Sequence, residues 1–143
     1  MPTTSPGSYV ADSKQFMPPH FGGDEAVEYG AFTFADTTAR TVFTLPKGAV
    51  ITDFGVNVTT VFNSSGTDLL DAGITGTGDF FVNDLAVSAT GHSRAGVATT
   101  VPSRLFTAPL DDETNVTIQY TQGVADATTG AGVFYVRYIL MSS

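Results

Sequence analysis

At 143 residues the chain suits one domain, and a domain of that size buries roughly 70% of the surface its unfolded form exposes, so neither a metal nor a disulfide is needed to fold it. Cysteine is absent, which excludes a disulfide framework, a thiolate zinc site and a cysteine nucleophile. Charged residues make up 14%, against about 25% in an average soluble domain, and the net charge is −8 with the basic residues scattered as Lys14, Arg40, Lys47, Arg94, Arg104 and Arg137, so no basic cluster exists to track a nucleic-acid backbone.

Residues 1–25 hold Pro2, Pro6, Pro18 and Pro19 with little periodicity, and prolines deny backbone donors and favour extended conformations. The segment predicts an extended N-terminal arm. Tyr9, Val10, Phe16, Met17 and Phe21 are spaced along it as isolated apolar anchors, which a purely solvent-borne linker would lack. Its first residues, Met-Pro-Thr-Thr-Ser-Pro-Gly, carry neither a basic nor an apolar signal region, and no apolar run in the chain approaches the ~20 residues that span a bilayer. The expectation is a protein made and used in soluble form, without a membrane partner.

From residue 26 to 143 the pattern is that of strands. Weaker segments at 27–34 and 39–45 lead to 49–62, where Val50, Phe54, Val56, Val58 and Phe62 alternate with Asp53, Asn57 and Thr59, the period of a half-buried strand. Gly55 in its middle predicts a bend or bulge. Further strands are expected at 68–74, 79–82 and 104–108, with one helical turn near Asn83–Val87. In 114–122, Val116, Ile118 and Tyr120 point one way and Asn115, Thr117, Gln119 and Thr121 the other. In 131–140 both rows are apolar: Phe134, Val136, Tyr138 and Leu140 on one side, Val133, Tyr135 and Ile139 on the other. A strand apolar on both sides must be covered on both, and a single sandwich covers one. The second side therefore calls for the arm, a helix or another subunit, and Val133, Tyr135 and Ile139 are the candidate self-association residues. Turn signals at Pro46–Gly48, Asn63–Gly66, Thr75–Gly78, Asp111–Asp112 and Thr129–Gly130 separate about eight short strands. The predicted fold is all-β, a single antiparallel β-sandwich or jelly roll preceded by the arm.

Little in the chain carries chemistry. His20 lies in the arm and His92 in a Thr-Gly-His-Ser loop, neither with a metal-ligand partner at i+2 or i+4, so both read as surface loop histidines. No Gly-x-Ser-x-Gly elbow or P-loop occurs, and Gly76-Thr-Gly78 lacks the third glycine and the βαβ context of a dinucleotide loop, which makes it a turn. Asp68, Asp71, Asp79 and Asp84, with Asn83 nearby, form an oxygen-rich stretch that raises the question of calcium, but the spacing is not that of an EF-hand and Asp is also the ordinary turn residue. Asp111-Asp112-Glu113 is a second acidic knot, expected to solvate the turn before 114–122 and to discourage edge pairing. The triplets at Asn57, Asn63 and Asn115 that match a glycosylation acceptor are chance matches in a Thr-rich chain. No catalytic residue, metal site or cofactor is predicted.

Three blocks resemble small β-sandwich virion proteins of tailed phages, of the head decoration (cement) or head-fibre type. They are Leu45–Asn63 (LPKGAVITDFGVNVTTVFN), Leu69–Leu85 (LLDAGITGTGDFFVNDL), and Thr114–Ile139, in which TNVTIQYT is followed by GAGVFYVRYI. The resemblance implies a jelly-roll-like, non-catalytic module that decorates or joins capsid subunits, often as a trimer. On it rests the expectation of a virion protein on the capsid surface, made in the host cytoplasm, that contacts the major capsid protein through Tyr9, Phe16, Met17 and Phe21. The alternative is a tail or fibre component recognising a host surface glycan.

Overall fold

The computed structural model describes residues 25–96 and 100–140. The anchors Tyr9, Phe16, Met17 and Phe21, and with them His20, lie outside the described residues. Eight strands are present, and no helix occurs among the described residues: β1 (Ala26–Thr33), β2 (Arg40–Leu45), β3 (Ala49–Thr60), β4 (Leu69–Ile74), β5 (Thr77–Ala86), β6 (Gly91–Arg94), β7 (Thr114–Thr121) and β8 (Ala131–Leu140). They form two four-stranded antiparallel sheets, β1-β8-β3-β6 and β2-β7-β4-β5. The pairs β1·β8, β2·β7, β3·β6 and β4·β5 are the rungs of one long antiparallel ladder wound around a barrel axis. Of the two architectures the sequence left open, this is the jelly roll.

The core lies between the sheets and is held by a row of aromatic rings. Phe54 meets Phe81 at 4.8 Å between centroids, Phe81 meets Phe134 at 5.6 Å, and Phe62 bridges Tyr120 at 4.7 Å and Phe32 at 5.9 Å. Such pairs contribute about 0.5–1.5 kcal/mol each beyond the area they bury. Gly132 makes room for this row: a β-carbon there would stand 2.5 Å from the Phe32 ring and 2.7 Å from the Asn57 carbonyl oxygen.

Five expectations are corrected. The period of segment 49–62 breaks at Thr52, where β3 bulges against β8 between Ile51 and Asp53. The extra residue turns the strand over, so Ala49 and Ile51, not Val50, share the core face with Phe54, Val56 and Val58. Gly55 is therefore not the bulge; it answers a close approach described below. The helical turn near Asn83–Val87 is absent, because β5 continues to Ala86 through a bulge at Asn83-Asp84. There Asp84 takes φ 55° and its N–H donates to Asp71 Oδ1 at 2.7 Å. Segment 104–108 is not a strand. Phe106 takes φ 56°, which breaks any ladder, although its N–H still donates to the Ile51 carbonyl at 2.8 Å and the Leu110 N–H to that of Ala49 at 3.0 Å. Conversely, the loop containing His92 is strand β6, paired with Gly55–Val58. The free edge of β3 is thus covered along its length, by β6 at one end and by the 104–110 segment at the other.

Candidate functional site

Each sheet turns one face to the core and one outward, and the two outward faces differ. On β7 the outward row is Asn115, Thr117, Gln119 and Thr121, a solvated neutral surface. Beyond it Asp71 accepts from the Asp84 N–H, and burial together with the like charges of Asp84 and Asp79 pushes the Asp71 carboxyl above the usual range. Asp68 is not part of a surface cluster. It is 3% exposed, accepts a hydrogen bond from the Tyr120 hydroxyl and another from the Ser64 N–H at 3.1 Å, and so anchors the loop after β3. Among the described residues no group of three or more His, Asp or Glu side chains is placed to hold a metal ion.

The outward face of β1-β8-β3-β6 is of another kind. Register aligns Tyr29, Tyr135, Gly55 and Arg94 across its four strands, with Val27, Arg137 and Asp53 on one side of that rung and Ala31, Val133, Asn57 and His92 on the other. The second apolar row of β8, Val133, Tyr135 and Ile139, therefore lies on this face, and its members are half-buried by their own neighbours. Tyr29 is 70% exposed and Val27 44%. Tyr135 leans over Gly55 to meet His92: Nε2 and the hydroxyl are 2.9 Å apart and the rings 5.7 Å. A β-carbon on Gly55 would stand 2.7 Å from the Tyr135 hydroxyl and 2.8 Å from the Ser93 carbonyl oxygen, so glycine is what lets the ring lie flat. Burial raises the Tyr135 hydroxyl above its usual range, Asp53 adds to this, and Arg94 and Arg137 oppose it.

The result is an open depression of about 510 Å³ walled by Asn57, His92, Val133, Tyr135 and Arg137. At its margin Arg94 reaches Asp53 at 3.3 Å and Arg137 reaches Glu25 at only 4.0 Å, both arginines about half exposed. Two guanidinium groups, their carboxylate partners and an imidazole thus stand around an apolar patch. The arrangement offers an open apolar surface with hydrogen-bonding groups at its margin.

Sequence reasoning identified Val133, Tyr135 and Ile139 and missed what completes the face. His92 and Arg94 were hidden in a strand of four residues, too short to show a period. Tyr29 was visible only as one aromatic residue in a weak strand.

No family model matches the chain, and no curated protein matches it significantly in sequence. Among solved structures, a chain of the capsid asymmetric unit of cyanophage Pam1 superposes with a TM-score of 0.68 at 23% identity, over 93% of this chain and 99% of that one. A chain of the acid-stable capsid of the Helicobacter pylori bacteriophage KHP30 does so with a TM-score of 0.65 at 16% identity, over 85% and 91%. A chain of the capsid of Ralstonia phage GP4 follows with 0.57 at 19% identity, over 85% and 88%. In each case the matched chain is used almost end to end and is close to this one in length. The chain thus has a jelly-roll fold that also occurs, at the same size, in the capsids of three phages.

Proposed function

We propose that this chain is a structural protein of a tailed-phage virion, a capsid decoration or cement protein that stabilises the head shell. The observation that carries the reading is the match to a Pam1 capsid chain over nearly the full length of both partners. In this reading the jelly roll self-associates through the outward face of β1-β8-β3-β6, with Val133, Tyr135 and Ile139 at its centre and a trimer as the favoured assembly. The arm supplies Tyr9, Phe16, Met17 and Phe21 to the major capsid protein. Many modest contacts repeated over a shell then resist internal pressure. Catalysis and cofactors have no part in it, and the protein would be made in the host cytoplasm and end on the capsid surface.

The test is location and rebinding. Particles lacking the protein should take up the purified full chain at regular positions on the head, while a chain without residues 1–25 should keep its β-sheet spectrum and fail to bind. Uptake of the truncated chain at full affinity would remove the arm from the proposal, and its presence only in tails would remove the decoration role.

A second reading, a tail or fibre component that binds a host surface glycan, is favoured by one observation: Tyr29, Tyr135 and His92 form an accessible aromatic platform beside two arginines. Glycan-array binding that Tyr29→Ala abolishes would establish it.

A further inference from the structure

The self-association proposed above leaves open what fills the depression on the outward face. We propose that its occupant is the loop Arg104–Glu113 of a second copy of this chain, so that the contact is heterologous, plug into socket. This rests on the self-association reading and makes it specific.

Two features of the loop are costly in a lone molecule. Phe106 is 68% exposed, and it holds φ 56°. A bulky residue in the left-handed region stores strain of about 1–3 kcal/mol, which persists only where the surroundings impose it. Here the backbone is pinned on either side: the Phe106 N–H donates to Ile51, the Leu110 N–H to Ala49, and the Gly48 N–H to the Leu110 carbonyl at 2.8 Å. Leu105 packs against the core, and the turn presents the next side chain, Phe106, to solvent. Five residues on, Asp111, Asp112 and Glu113 stand together, all three exposed, and no cation of a described residue pairs with them. The loop is an aromatic anchor beside three uncompensated carboxylates.

The socket has the complementary features. Val133 and Tyr135 offer an apolar and aromatic wall with Tyr29 next in register, and His92, Arg137 and Arg94 stand around it; the arginines are only loosely held, at 3.3 Å from Asp53 and 4.0 Å from Glu25, and about half of each side chain remains open to a partner. An aromatic anchor seated in a pocket and ringed by charge pairs is the arrangement in which interface energy concentrates. The plug lies along the edge of the sheet, beside the first residues of β3, and the socket lies on the sheet's outward face. Each copy thus carries one of each on different surfaces, and such an edge-to-face contact builds a ring where the rotation between copies closes.

The experiment uses the full chain and two variants. One has a damaged socket, Arg94→Ser with Arg137→Ser. The other has a damaged plug, Phe106→Gly with Asp112→Arg and Glu113→Arg; glycine there relieves the φ strain, so loss of association cannot be blamed on unfolding. Sedimentation velocity reads assembly and circular dichroism reads folding. The wild-type chain should assemble, and each variant alone should associate at least tenfold more weakly with its melting point retained. A 1:1 mixture should form heterodimers, because an intact plug and an intact socket then meet once. Variants that assemble like the wild type would overturn the plug and socket while leaving self-association standing. A wild-type chain that stays single at every concentration would overturn both. A mixture that remains monomeric, although both variants are folded, would refute the heterologous geometry.

Discussion

The hydroxyl of Tyr120 is the clearest place to test how this sandwich is held. Its ring is fully buried against Phe62, and the hydroxyl donates to Asp68, itself buried on the loop that leads out of β3. Tyr120→Phe keeps the ring and its packing and removes only that donor. Asp68 is left with the Ser64 N–H on the same oxygen. A hydrogen bond to a charged group contributes about 1.5–3 kcal/mol, most of it the penalty of leaving the buried acceptor unsatisfied. The expected cost is therefore about 2 kcal/mol. For a domain of this length about 3–4 °C of Tm accompanies each kcal/mol, giving a fall of about 6–8 °C by calorimetry. Alkali provides a second readout. Burial, and then the bond to Asp68, raises the Tyr120 hydroxyl above its ordinary value of 10.0, so the stabilisation is complete below that pH and is lost as pH rises through the folded-state value. Tyr135 and Tyr138 are raised in the same direction and keep part of the slope. The Tyr120→Phe chain should accordingly show a shallower loss of stability above about pH 10. A change below about 0.5 kcal/mol, with an unaltered alkaline limb, would mean that the Asp68 carboxylate is hydrated and that the loop is held by something else.

Three other perturbations have defined outcomes. Asp36 is lowered chiefly by its paired bonds with Arg40, at 2.7 and 3.1 Å, so its stabilisation is present above the unfolded carboxylate value and lost as pH falls. Arg40→Gln should cost about 1 kcal/mol at neutral pH, because Arg40 is half exposed, and should flatten the acid limb of a pH–stability profile. Asp71 is raised, so its ionised form disfavours folding once pH passes the usual carboxylate range. Asp71→Asn keeps an oxygen for the Asp84 N–H and should be neutral or stabilising by up to about 1 kcal/mol in urea unfolding; a loss above that would mean that the charge itself supports the β5 bulge. Gly55→Ala should force Tyr135, His92 and the β6 backbone apart at a cost of about 1–3 kcal/mol. Hydrogen exchange should then quicken at 91–94 before anywhere else, and unchanged exchange there would show that β6 does not depend on the Tyr135–His92 contact.

Most of the strands were legible because their inner rows alternate: Val116, Ile118 and Tyr120 read as a core face and are one. The misreadings share a cause. A period of two carries no information across a bulge, so Thr52 inverted the reading of Val50, and Asp84 made the end of β5 look like a turn of helix. Asp84 and Phe106 both hold positive φ; aspartate visits that region more readily than most residues, whereas an aromatic residue does so only where its surroundings impose it. The pairing of four-residue β6 with β3 depends on residues some forty positions apart, which no local pattern records. The same distance hid the site: Tyr29, Gly55, His92 and Tyr135 converge only once the ladder is wound.

Position within the fold does not explain why one outward face is polar and the other is not. β7 and β8 are equivalent in the jelly roll, each an inner strand of its sheet and each flanked on both sides by hydrogen-bonded neighbours. Their inner rows are alike, with Val116, Ile118 and Tyr120 matched by Phe134, Val136 and Tyr138. Folding alone would therefore accept on β8 the same Asn-Thr-Gln-Thr row that β7 shows to water. Val133, Tyr135 and Ile139 are only half-buried in the lone sandwich, and beside an exposed Tyr29 they add an aggregation hazard, since exposed apolar patches invite association. Replacing Val133 and Ile139 by threonine should consequently leave the melting point of the isolated chain nearly unchanged and raise its solubility. If the substitutions instead lower the melting point by more than about 5 °C, the outer row belongs to the fold of one molecule and the case for a contact face is lost.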